Sequence, residues 1–162
     1  MPRSRLPRAV LAAICAFALS VAAAAALETR EVEAVVTILE RLSVETGRTV
    51  FYDERAAREW FEIDAESSRL IPAAGFGEAS WKSAFDRTMT GFLAAIPQPE
   101  LERMTRDFSD RLGKMTPEHR QMATAMLREQ VKHIDALREQ GERYRPMVAP
   151  YAARLRLLSR RN

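Results

Sequence analysis

The chain has 162 residues, of which 47% are hydrophobic and 29% charged, with a formal net charge of +3 and one cysteine. That length suits a single domain with its own core, and one cysteine excludes a disulfide framework. The basic balance does not argue for nucleic-acid binding either: Arg3, Arg5 and Arg8 carry the whole excess, and the other 22 basic residues are matched by 22 acidic ones.

Residues 1–26 read as an export signal. The three arginines form a positive n-region, residues 9–21 are apolar except Ser20, and residues 22–26 are small enough for a signal peptidase. Cleavage is expected after Ala26, leaving a helical domain over residues 27–162 in the periplasm or outside the cell. The alternative is an uncleaved anchor, since residues 9–26 approach the roughly 20 apolar residues of a spanning helix. A lipoprotein is disfavoured because Ile14 precedes Cys15 where a small residue is required. Cleavage would also remove the cysteine, so the mature chain would be held by core burial alone.

Charge in the remaining chain is polarised. Residues 27–70 hold 11 acids and 6 bases, whereas residues 71–162 hold 11 acids and 16 bases. Such a split favours an acidic partner, a head-to-tail homo-oligomer or an intramolecular contact over nucleic acid.

Helical periodicity runs through the mature chain. Val32, Val35, Val36, Leu39 and Leu42 make one face of a first helix ending near Gly47. Thr49-Val50-Phe51-Tyr52 is the one strand-like run. Asp53 suits an N-cap for a second helix carrying Ala56, Ala57, Trp60 and Phe61. Residues 71–77 are expected to be the main loop. Gly77 then caps a third helix, with Phe76 and Trp81 placed as a hydrophobic staple. Its apolar face continues through Phe85, Met89, Phe92 and Ile96, and Gly91 within it predicts a close helix crossing. After Pro97, a fourth helix carries Leu101, Met104, Phe108 and Leu112 up to Gly113. The fifth and longest is expected from Pro117 to about Arg145, with Met122, Met126, Leu127, Ile134 and Leu137 on its core face. A sixth follows Pro150 and docks by Leu155, Leu157 and Leu158. The expectation is an all-α, antiparallel, bundle-like domain of five or six helices.

No nucleophile elbow, zinc-protease motif or nucleotide-binding glycine loop occurs, and nothing calls for a cofactor. Pairs such as Glu59 with Glu62 and Asp107 with Asp110 read as solvated helix faces, so an envelope-polymer hydrolase is a lesser alternative. A soft-metal sensor or buffer is another, using Met115, His119 and Met122. His119 and His133 stand about 21 Å apart along a helix and cannot share one ion. The binding residues expected are basic side chains of the last two helices: Arg138, Arg143, Arg145, Arg154 and Arg156. They would meet an envelope protein, an unfolded client or anionic headgroups.

Met115-Thr116-Pro117-Glu118-His119-Arg120-Gln121 is similar to the Leu-Thr-x-x-Gln motif of the Spy and CpxP family, with Met115 in place of leucine and His119 in place of glutamine. No second copy of the motif is present. The resemblance implies a small helical periplasmic chaperone or envelope-stress modulator that acts without ATP. The same residues also make an ordinary helix start, with Thr116 as N-cap and Pro117 at the first turn.

Overall fold

The computed structural model describes residues 28–160, so the predicted signal, its cleavage point and Cys15 lie outside the described residues. Within them the regular structure is helical, with no strand. In helix α1 (28–46) the predicted stripe of Val32, Val35, Val36, Leu39 and Leu42 is buried throughout. Gly47, at φ +68, turns the chain out of it in the left-handed conformation that glycine adopts without strain. The run predicted as strand-like is an extended link instead. Val50 is buried there, and its N–H donates to the Leu158 carbonyl at 3.1 Å, tying the link to the C-terminal helix rather than to a partner strand.

Helix α2 (Ala56–Ala65) follows a turn in which Asp53 Oδ1 accepts the N–H groups of Arg55 and Ala56, both at 2.8 Å. Residues 71–77 are not all loop. A single turn, α3 (Leu70–Ala73), forms because the buried Asp64 carboxylate accepts the N–H groups of Leu70 and Ile71, both at 2.8 Å. That local side-chain cap replaces hydrogen bonds a four-residue helix cannot make for itself.

Helix α4 (Glu78–Ala95) is the spine of the core. Gly77 is its N-cap, and Phe76 packs edge-on against Trp81 with ring centroids 5.9 Å apart, so the staple forms. Trp81, Phe85, Met89 and Phe92 are buried, and the Trp81 indole N–H donates to the Ala57 carbonyl at 2.8 Å. The tight crossing at Gly91 is present. A Cβ there would lie 2.8 Å from Val148 Cγ2 and 3.0 Å from Tyr144 Cβ.

Helix α5 (Gln98–Leu112) starts after the break at Pro97. Helix α6 (Pro117–Gly141) runs back antiparallel to it and ends earlier than the sequence predicts, before the turns of α7 (Arg145–Val148). The C-terminal half of α6 lies on α4, where Gly141 meets the Thr90 backbone and the Arg138 guanidinium donates to the carbonyls of Leu93 and Ile96 at 2.9 and 2.8 Å. A 3₁₀ turn (Ala149–Tyr151) leads into α8 (Ala152–Leu158), in which Leu155 and Leu158 are buried but Leu157 faces solvent. Six helices longer than one turn thus fit the expected all-α architecture. The α5–α6 hairpin is the exception to its compactness: from Ala95 to Gln140 only Leu112 is buried.

Candidate binding site

The hairpin carries an apolar trough. Leu101, Met104 and Phe108 from α5 face Ala123, Met126, Leu127, Val131 and Ile134 from α6 around a cavity of about 450 Å³. Spacings of three and four residues bring each set onto one helix face, so the two stripes meet along the seam. Among the described residues no third helix covers them. Met104 is 59% exposed, Phe108 47% and Met126 68%. Met122 is equally open, and Met115 stands exposed at the hairpin turn. The expectation that Met122 and Met126 sit on a core face is therefore overturned: a stripe was read correctly, but nothing in the described residues packs over it.

A second cavity of about 370 Å³ adjoins the first through Met104, Gln130 and Ile134 and leads to the body of the domain. Val50, Phe51, Phe92 and Leu137 line its floor, and Glu100, His133, Arg156 and Arg160 stand on its rim. Through those shared residues the depression runs from the core edge along the hairpin as far as Phe108 and Ala123. Charge is balanced along the hairpin, where residues 98–140 hold eight basic and eight acidic side chains. Arg106 approaches Glu102 at 3.8 Å, and Arg120 donates to the Gly113 and Met115 carbonyls at 3.0 and 2.9 Å.

The five arginines expected to bind a partner are not gathered in one place. Arg154 forms a two-pronged pair with Glu40, at 2.7 and 2.6 Å, which holds the Glu40 carboxyl below its usual range despite partial burial. Arg156 meets Glu100 at 3.2 Å, and Arg160 reaches the same carboxylate at 3.3 Å. Arg138 caps α4. Arg143 lies over the Tyr144 ring, 4.5 Å from its centre, and Arg145 pairs with Glu142 at 3.4 Å; both are exposed. Three of the five therefore hold the fold together, and the acidic first half meets the basic second half inside the chain.

Met115, His119 and Met122 are all exposed near the start of α6. No cluster of three or more His, Cys, Asp or Glu side chains suited to a metal occurs among the described residues. Thr116 takes the N-cap backbone conformation, but its side chain accepts no capping hydrogen bond.

A polar cleft lies between α4 and the end of α6, lined by Tyr52, Asp86, Arg87, Thr90, Arg143 and Tyr144 among others. Burial, followed by the nearby Asp86 carboxylate, pushes the Tyr52 phenol up to about 12. Asp86 is itself engaged by Lys82 at 2.5 Å. The cleft thus offers a phenol held protonated and a carboxylate already paired.

Comparison with known proteins finds no matching family model, no matching curated protein and no matching solved structure. Among the described residues no helix is long and apolar enough to cross a membrane.

Proposed function

We propose that this chain is an exported, non-enzymatic helical protein that holds apolar segments of other proteins in the trough of its α5–α6 hairpin, as a chaperone or envelope-assembly accessory. The carrying observation is the run of exposed Met104, Phe108 and Met126 along a helical seam that nothing among the described residues covers. Unbranched thioether side chains adapt to differently shaped partners, which suits a surface that takes many sequences. Covering each one removes apolar area from water at roughly 25 cal/mol per Å². Isolated apolar residues on a surface are ordinary, whereas a contiguous patch marks an interaction site.

The heptapeptide at residues 115–121, similar to the Spy and CpxP motif, sits at the tip of this hairpin, and the export signal read in residues 1–26 accords with an envelope role.

Purified mature chain is expected to suppress light scattering by an aggregating, chemically unfolded client protein. The double substitution Met104→Glu with Met126→Glu should abolish that effect while leaving the helical circular dichroism and melting temperature near wild type, because both sites are exposed. Failure of the wild-type chain to suppress aggregation and to retain any envelope protein in a pull-down would reject the reading.

A further inference from the structure

The trough contains the reactive sulfur of the domain. Cys15 is the chain's one cysteine, so residues 28–160 carry sulfur only as methionine. Six methionines follow Met1, and four of them, Met104, Met115, Met122 and Met126, fall on the hairpin. These four are between 44% and 68% exposed, whereas Met89, on the buried face of α4, is 3% exposed. The thioethers of the binding face are thus open to small oxidants while the core thioether is shielded.

We propose that Met104 and Met126 form an oxidation-sensitive modification site, whose conversion to sulfoxides closes the trough to apolar segments; this rests on the binding function proposed above. The co-reactant is a two-electron oxygen donor of the hydroperoxide class. The thioether sulfur attacks the distal peroxide oxygen, an S–O bond forms as the O–O bond breaks, and the peroxide leaves as water or an alcohol. Sulfur is oxidised by two electrons, the two peroxide oxygens are reduced by one each, and the proton of the transferred hydroxyl passes to the departing oxygen. The product replaces a flexible apolar group with a dipolar acceptor. An apolar segment seated on it leaves that acceptor without a partner, which weakens binding by about tenfold per sulfoxide. Both residues border the same cavity, so oxidation at the pair acts on one surface.

The position of the site makes this reversible without unfolding. Neither side chain supports the core, so the oxidised chain keeps its helices, and reduction by a thiol-dependent sulfoxide reductase, which releases the oxygen as water while two thiols become a disulfide, restores the original surface.

The test treats the mature chain with hydrogen peroxide, maps sulfoxides by peptide mass spectrometry over time, and measures binding of a permanently unfolded, carboxymethylated protein at each stage. Met104 and Met126 should oxidise at least about tenfold faster than Met89. Binding should fall about a hundredfold as both convert, with circular dichroism unchanged. The double variant Met104→Leu with Met126→Leu is compared only with itself: whatever binding it shows before treatment, peroxide should leave that value nearly unchanged, because no sulfur remains at the pair. Oxidation of Met89 as fast as the hairpin methionines overturns the proposal. So does full binding by a chain doubly oxidised at Met104 and Met126, or an equal loss by the leucine variant. If the untreated chain does not bind the unfolded probe, the function itself is rejected, which this design separates from failure of the switch.

Discussion

Gly141 carries the tightest constraint in the molecule. A Cβ placed there would lie 2.1 Å from the Thr90 carbonyl oxygen and 2.4 Å from its carbon, both backbone atoms that cannot rotate away. Gly141→Ala must therefore separate α6 from α4. We expect a loss of about 3 kcal/mol, near the upper end for overpacking, and a fall of roughly 10 °C in Tm by calorimetry. Gly91→Ala meets a methyl of Val148 at 2.8 Å instead, as well as the Tyr144 backbone carbonyl carbon at 3.3 Å. The side-chain methyl can move, so the smaller loss belongs to Gly91. Only the Gly91 crossing was legible in the sequence, where a glycine interrupts an apolar helix. Gly141 sits near the end of its helix, where glycine is common for reasons of chain termination, and its packing role depends on a neighbour 50 residues away.

Helix α6 is the element that joins the core to the apolar trough. Its C-terminal half is fastened to α4 by Gly141 and by Arg138, and its N-terminal half forms one wall of the trough. Replacing Arg138 with methionine leaves two C-terminal carbonyls of α4 without their charged donor. That should cost about 1–2 kcal/mol in urea unfolding, the discount reflecting partial solvent access. The stripes of α1, α2 and α4 were readable because each covers a contiguous core. The stripe of Met122 and Met126 has the same periodicity, and periodicity cannot say whether a covering helix exists in the chain or must come from a partner. The surplus was the available signal: α5 and α6 add two apolar faces beyond those the core helices need, with methionine rather than leucine at the open positions.

For the molecule as a whole, the polarised charge acts chiefly as an internal clasp. Glu40 with Arg154 and Glu31 with Arg87 join α1 to later helices, and Glu100 with Arg156 and Arg160 joins α5 to the C-terminus. The consequences for pH have opposite signs at the two extremes. The hydrogen bond from Arg154 depresses the Glu40 carboxyl below 4.5, so its contribution is complete above that pH and is lost as pH falls through the depressed value. Tyr52 is raised from 10.0 to about 12, so its contribution is complete below pH 10 and is lost as pH rises from there toward 12. Melting curves across pH should show both limbs. Arg154→Met should flatten the acid one, and Tyr52→Phe the alkaline one, each without altering the other. From sequence, the charge imbalance between the two halves was plain, but which acid meets which base depends on chain reversals that no local pattern specifies.

The scarcity of buried residues between Ala95 and Gln140 has an evolutionary corollary. Most positions along that span are exposed, so selection for folding constrains them little, apart from Leu112, the Arg138 cap and the partly buried residues through which α5 and α6 meet each other and α4. A lineage can therefore retune the hairpin's shape and charge one residue at a time while the α1–α4 body stays unchanged. The expected signature is rapid divergence on the hairpin beside a slowly changing core.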